Sequence, residues 1–416
     1  MTARTFLRGA ALAAALGSLV SLAAQALMAL FLLKLLEPQA VGVFSVIAQI
    51  AFGWATLALA QSPLSLLANQ HQPAWPAARL ALQASLRRWC ALMPAALLAA
   101  WWSGRAGGWP GSLGWAAAIA LAQMGWLLAQ GLSLRVHAPL SIAAVRMLPP
   151  VLAAALAAVG ALWLDWHSSS LLTTTALLGY AAGALWLLPV LRPLPPSATG
   201  TNTASASVQG DERSERLKFI HTLSDVLVAT ALAAHWAGVH GAAQAGCLLI
   251  LLRVTGFIPA LVSTAWAQVV LSRPQAQRPG SWLAAMAGSG GVALECLLAA
   301  LALQAGWLST AWAPLADYLW PVALWQIGAC LVAAVSHRPF QQGRSVAYTW
   351  QCLGINAVQA LLLWLPPLLG WGLVSQLWAM ASFLALALTL QAIWAARLPE
   401  RRVTPVSNAK DAPHES

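Results

Sequence analysis

Apolar residues gather along this chain into long runs broken by short polar stretches, and the runs have the length of membrane-crossing helices. A helix needs about 20 mostly apolar residues to cross the hydrocarbon layer of a bilayer. Twelve such runs are read, at about 10–33, 41–64, 89–104, 113–134, 147–164, 170–191, 218–237, 243–268, 282–306, 317–336, 349–369 and 373–396. The first follows Arg4 and Arg8 and continues to Leu33, too long for the apolar core of a cleaved signal peptide, so it reads as an uncleaved first helix. The breaks at 37–40, 105–112, 165–169, 238–242, 307–316 and 370–372 are short.

One break differs. Residues 192–218 (RPLPPSATGTNTASASVQGDERSERLK) are rich in Pro, Ser, Thr and Gly and then charged. Such a stretch buries no core and reads as a flexible linker, 192–217. It separates a first lobe, 1–191, from a second lobe, 218–396, followed by a tail at 397–416. With six spans before the break, both lobes enter the membrane with the same orientation, the arrangement of a parallel repeat about an axis along the membrane normal. Setting Gly42 against Gly246 brings a helix, a tight turn, a small-residue pair and a long apolar helix into register in both lobes. In that register Gln49 lies opposite Arg253. The expected fold class is therefore an all-α polytopic membrane protein, with about 12 transmembrane helices in two six-helix lobes.

Composition agrees: 60% of residues are hydrophobic and 8% charged, far from the balance of a soluble domain. The net charge of +11 first suggests nucleic acid, but topology accounts for it. With the N-terminus inside, 19 of the 22 Lys and Arg fall on the cytoplasmic side, Lys34 and Arg105 fall outside, and Arg253 lies within a span. Cytoplasmic loops of membrane proteins carry this excess. The expectation is a multi-pass membrane protein with both termini cytoplasmic. Trp101, Trp102, Trp166, Trp236, Trp312, Trp320 and Trp371 fall near outer ends, and Trp89, Trp282, Trp350 and Trp394 near inner ends, where indoles favour the interface. Trp54 and Trp126 fall mid-span and read as packing or lipid contacts. The five cysteines show no paired spacing and read as small apolar side chains.

The spans hold three charged groups: Asp225, Arg253 and Glu295. A guanidinium at mid-bilayer costs about 2.5–3.5 kcal/mol on insertion scales, so Arg253 needs a reason. It could pair with Glu295, or line a water-filled cavity and bind phosphate through its planar fork; its central position argues against snorkelling to an interface. His221 and Asp225 share one helix face. Asp225 is either a proton or cation site or the partner of a loop cation such as Lys218 or Arg216. Gln25 lies on a stripe with Ser18 and Ser21. Gln25 and Gln49 are either hydrogen-bonding glue between helices or substrate contacts. Asn356 and Gln359 make a smaller polar patch. Nothing resembles an enzyme's constellation: Asp165 and Asp317 are single loop acids that read as solvated, and no phosphate loop or metal-ligand spacing occurs. No enzymatic activity and no cofactor are expected.

Residues 32–69, with Lys34, Leu35, Leu36, Pro38, Gly42 and Phe44, resemble the first hairpin of Wzx-type polysaccharide flippases, of the multidrug/oligosaccharidyl-lipid/polysaccharide exporter superfamily. Residues 223–249 look like that family's seventh span, and 134–148 like its basic loop between spans four and five. The resemblance implies two lobes around a central cleft lined by spans one, two, seven and eight. It implies alternating-access transport of an undecaprenyl-pyrophosphate-linked oligosaccharide, such as an O-antigen or lipopolysaccharide repeat unit. Implied partners are that lipid-linked substrate, membrane lipid, a polysaccharide polymerase and a chain-length regulator, with no nucleic acid. Under it Arg253, Gln25, Gln49 and Asp225 are substrate-binding candidates, and Asp225 and Glu295 ion-coupling candidates. The rival readings are a drug or cation antiporter of the same superfamily and a non-transporting membrane scaffold. An antiporter of that kind usually needs an acid in a first-lobe span, and spans one to six have none.

Overall fold

A computed structural model describes residues 27–60, 73–104, 108–136, 139–191, 212–263 and 277–398, with scattered positions between 17 and 25 and between 62 and 66. The start of the first predicted span, most of the linker and the tail lie outside the described residues, as do Arg4 and Arg8. The described residues hold no strand. In the first lobe the helices are α1 (Ala23–Leu35), α2 (Pro38–Leu59), α3 (Ala74–Ala91), α4 (Met93–Ser103), α5 (Trp109–Val136), α6 (Pro139–Trp163) and α7 (Ser169–Ala184), which continues as a 3-10 turn to Leu191. The second lobe has α8 (Glu212–His240), α9 (Ala242–Thr255), α10 (Gln277–Gln304), α11 (Leu315–Ala333), α12 (Arg338–Gln341), α13 (Ser345–Leu368) and α14 (Leu373–Arg397). Ten of the helical stretches are long and apolar enough to cross a membrane. Adding α1 and the α3–α4 pair brings the spans to about twelve, in an all-α multi-pass membrane protein.

Two boundaries differ from the sequence reading. Residues 74–88, read as a loop, are helical in α3. Their arginines and alanines favour helix, and Leu92 and Pro94 break the rod into α3 and α4. Helix α8 begins at Glu212, inside the stretch read as linker, where Glu212 and Arg216 stand at the helix-favouring i,i+4 spacing.

The repeat is visible in backbone detail. Glu37 precedes α2 and Pro38 opens it; Gly241 precedes α9 and Ala242 opens it. Gly241 has φ +88°, a left-handed conformation that glycine adopts without strain. One turn further in, α2 and α9 cross at their closest point. A methyl group on Gly42 would run into the carbonyl oxygen of Ala242, and one on Gly246 into that of Pro38. The two contacts exchange under the register that pairs Gly42 with Gly246 and Pro38 with Ala242, so the pseudo-two-fold axis passes between the two glycines. Small residues at such crossings let membrane helices approach backbone to backbone.

The lobes also meet elsewhere at this end, called here the turn end. Lys34 Nζ donates to Trp307 O at 2.7 Å and Trp312 Nε1 to Leu36 O at 3.1 Å. Trp102 of α4 covers Gly238 of α8. Deeper, α2 and α8 stay in contact down to Gly53, where a Cβ would stand 2.7 Å from Thr230 Oγ1 and 3.0 Å from Val226 Cγ1.

Within each lobe, prolines create a problem that neighbouring helices solve. A proline has no N–H for the carbonyl four residues before it, and a bare carbonyl in hydrocarbon needs a donor. Pro149 frees Val145 O, which accepts from Trp126 Nε1 at 2.7 Å. Pro366 and Pro367 free Leu362 O and Leu363 O, and Gln376 Nε2 reaches both, at 3.3 and 2.8 Å. At the α3–α4 break, Trp54 Nε1 donates to Trp89 O at 2.7 Å and the two indoles stack. The mid-span tryptophans Trp54 and Trp126 therefore do more than pack: each donates to a backbone carbonyl at a helix irregularity.

Candidate functional site

Arg253 sits in the last turn of α9, half-buried, eleven residues below the helix start. Its guanidinium carbon lies 5.9 Å from the ring centroid of Phe44, on α2 of the opposite lobe, within the range of a cation–π contact. Arg253 thus stands at the lobe boundary against a first-lobe aromatic ring. Among the described residues, no carboxylate lies within ion-pair distance of it, and Glu295 is elsewhere. Helix α10 packs on α11 through Val292 and Cys296 and touches α9 only marginally. Glu295 Oε2 is buried with no hydrogen-bond partner among the described residues. The alternative in which Arg253 and Glu295 form a packing ion pair is not the arrangement of this structure, because α10 packs on α11 and leaves the two side chains apart.

Asp225 belongs to a different cluster. Asn356 Nδ2 of α13 donates to Asp225 Oδ1 at 2.6 Å and to Ser224 Oγ at 3.0 Å. His221 Nε2 lies 3.3 Å from Asp225 Oδ2, one helical turn away, and its ring meets Tyr348 edge-on at 6.2 Å. The Asp225 side chain remains half-exposed, so the carboxylate is held by neighbours yet open on one side. The loop cations Arg213 and Arg216 and the Lys218 side chain lie outside the described side chains.

Gln25 Nε2 of α1 donates to Ser21 Oγ, four residues earlier, at 3.2 Å. Gln49 is half-buried on α2, one turn above Gly53. Of the polar patch on α13, Asn356 joins the Asp225 cluster, and Gln359 is buried. The structure therefore keeps two of the candidates apart: Arg253 lies against Phe44 between the lobes, and Asp225 joins His221, Ser224 and Asn356 inside the second lobe.

Sequence reasoning missed the contact of Arg253 with Phe44: a phenylalanine in an apolar helix gives no sign that a cation of the other lobe meets it. A further group bridges the lobes near the turn end: the His235 ring lies 4.2 Å from that of Trp364 and 6.0 Å from that of Trp102, with Trp102 and Trp364 edge-to-face at 4.7 Å.

No family model matches the chain, and no curated protein sequence does. Solved structures match over nearly the whole length. A MOP superfamily transporter from Pyrococcus furiosus Vc1 (DSM3638), described as having a binding pocket of reverse polarity, shares 14% identity at a TM-score of 0.53, with 93% of each chain covered. A multidrug resistance MATE family transporter in its outward-facing conformation shares 13% identity at 0.51, again over 93% of each chain. A MATE transporter in complex with MaL6 shares 12% at 0.52, over 93% of this chain and 94% of that one. At this identity the likeness speaks to the fold, and the fold of this chain is that of MOP superfamily transporters.

Proposed function

We propose that this protein is an alternating-access transporter that moves a lipid-linked oligosaccharide, carried on an undecaprenyl pyrophosphate or similar anionic polyprenyl carrier, across the bacterial inner membrane. The observation that carries the reading is Arg253: a cation at the lobe boundary, within a span, without a paired carboxylate among the described residues. A permanently charged guanidinium attracts an anion and forks onto phosphate oxygens. The charge sorting supports a cytoplasmic arginine-rich end. On this reading the turn end, where the lobes meet, is the outer end, and the head group enters from the cytoplasmic side on which such substrates are assembled. Rocking about the Gly42–Gly246 crossing would carry the head group outward while the hydrocarbon tail stays in the bilayer. The cluster of Asp225, His221 and Asn356 supplies a site for a coupling proton or cation.

The test is export of lipid-linked glycan normalised to the amount of protein in the membrane. Arg253→Ala is expected to keep near-normal abundance and lose export, and Arg253→Lys to retain part of it, since a point charge still attracts pyrophosphate without the bidentate fork. Normal export by Arg253→Ala at wild-type abundance would refute the role. A second reading, a drug or cation antiporter, draws on the Asp225 cluster. It predicts gradient-driven efflux of organic cations that Arg253→Ala leaves intact.

A further inference from the structure

Helix α1 ends at Leu35, and the last carbonyls of a helix need donors from outside it. The second lobe supplies one. Trp312 Nε1 donates to Leu36 O at 3.1 Å from a fully buried side chain. Beside it, Lys34 Nζ donates to Trp307 O at 2.7 Å and lies 5.3 Å from the centroid of the Trp307 ring, within cation–π range. Both tryptophans stand on the short connection between α10 and α11, and that connection is fixed at its start. Gly306, with φ +67°, ends α10 in the left-handed conformation. Its N–H bonds to Leu303 O at 3.1 Å, and that of Trp307 to Ala302 O at 2.9 Å. These are the paired bonds of a glycine-terminated helix end. They hold the Trp307 backbone in place, with its own carbonyl available to α1.

The other lobe repeats the contact in a different material. The offset that pairs Gly42 with Gly246 pairs Lys34 with Gly238, and it sets Trp102 against Gly306, one residue from Trp307. A Cβ on Gly238 would stand 2.7 Å from Trp102 O and 3.3 Å from Trp102 Nε1. In each half, the carbonyl of a tryptophan at the end of one lobe's third span meets the same position on the other lobe's first span. At Gly238 the contact is backbone against backbone. At Lys34 a side chain reaches across. Lys34 also runs against the charge sorting, as one of two cations on the outer side. A cation in the last turn suits the helix dipole, but this ammonium bonds to the other lobe.

We propose that Lys34, Trp307 and Trp312 form a clasp that holds the turn end shut, the releasable half of a symmetric pair. The Gly42–Gly246 and Gly238–Trp102 contacts hold by close fit. The Lys34 bond lies at an exposed position, where water replaces Trp307 O as its partner at little cost, so it opens first when the lobes part. The inference rests on the alternating-access part of the reading above and is independent of the cargo.

The test reads both ends of the full-length protein, reconstituted in a cysteine-free background, as spin-label distances. The pairs are Gln39 with Ala243 at the turn end and Gln83 with Gln341 at the arginine-rich end, all exposed positions. Lys34→Met removes the ammonium from an exposed site and keeps an alkyl chain, so folding is not at risk. It is expected to raise the ratio of long to short distances at the turn end about fivefold, the population change of one hydrogen bond, with an answering rise in short distances at the other end. Trp312→Phe, which removes the indole donor, is expected to act in the same direction. Lys34→Arg, which keeps a donor and a cation for the ring, is expected to match wild type. Wild-type distances in both Lys34→Met and Trp312→Phe, where Gly42→Ala shifts both pairs, would overturn the clasp alone. A longer turn-end distance with no answering change at the other end would reduce it to local fraying of the connection and overturn it as well. Distances at both pairs that no variant moves, Gly42→Ala included, would refute the alternating-access reading together with the clasp.

Discussion

The crossing of α2 and α9 gives the sharpest test of how this fold moves. Gly42 and Gly246 meet backbone to backbone at the turn end, and each occupies space where the other helix's carbonyl would strike a methyl group. Gly42→Ala adds that methyl. To restore ordinary contact the helices must part by roughly 1 Å or more, which breaks the fit at the axis. Overpacking of this kind costs about 1–3 kcal/mol. The cost falls on the state in which the turn ends are closed. A state with those ends parted does not pay it, so the substitution acts on a conformational equilibrium more than on folding. A shift of about 2 kcal/mol changes that equilibrium roughly thirtyfold. Spin labels at Gln39 and Ala243, symmetric and exposed positions beside the crossing, report it as a distance distribution in reconstituted protein. Gly42→Ala is expected to move population from the short to the long distance at unchanged abundance. Gly246→Ala should do the same by symmetry, and the double variant should add less than the sum, since both remove one contact. A Gly42→Ala distribution that superimposes on wild type would show that the crossing is a static packing contact and would remove the axis from the mechanism.

Gln376→Leu strands the carbonyls freed by Pro366 and Pro367 and should destabilise by about 2 kcal/mol, and Trp126→Phe, which strands Val145 O alone, by about 1 kcal/mol, both read from unfolding in mixed micelles; equal stability of both variants to wild type would show that other donors satisfy these carbonyls. If the Asp225 cluster couples transport to a gradient, Asp225→Asn should insert normally and lose gradient dependence. Wild-type dependence in both Asp225→Asn and Glu295→Gln excludes both acids as the coupling site. Reporter fusions should place residue 205 and the C-terminal tail in the cytoplasm and 105–112 outside, and a periplasmic signal from residue 205 would overturn the topology on which the direction of transport depends.

The spans were legible because the bilayer imposes a length on an apolar run, and that length is a one-dimensional property. The register of Gly42 with Gly246 was legible for a related reason: a tight turn followed by small residues is a local pattern, and it recurs. Residues 74–88 were not read as helix because Arg79, Arg87 and Arg88 interrupt the apolar signal, although nothing in them opposes helix. The pairing of charges was beyond a linear reading. Whether Arg253 meets Glu295 depends on the azimuth of two helices and on which neighbour α10 packs against, and α10 packs on α11. The proline-freed carbonyls show the same limit. Pro366 and Pro367 announce two unpaired carbonyls, yet only the packing of α14 reveals that Gln376 is the donor.

The symmetry of the backbone and the asymmetry of the side chains have different jobs. At the axis the lobes are interchangeable: Pro38 and Ala242, Gly42 and Gly246 trade places under the repeat. Away from it they are not. In the same register Asp225 stands opposite Ser21, Arg253 opposite Gln49, and Glu295 opposite Ala91, so each of these three charges of the second lobe faces an uncharged position of the first. A rocking motion needs two similar bodies, because each must pack well on the other in both extremes. Holding a charged head group needs only one of them to carry the charge. An anion bound by Arg253 would then travel with the second lobe, and the first lobe would close over it with Phe44 and Gln49, groups that can contact a sugar face or its hydroxyls without competing for the phosphate. Moving the charge across the axis, as the pair Gln49→Arg with Arg253→Gln, keeps the cation between the lobes but attaches it to the other body. If the lobes share the head group equally, this swap retains export; if the second lobe alone holds it, the swap fails as fully as Arg253→Gln.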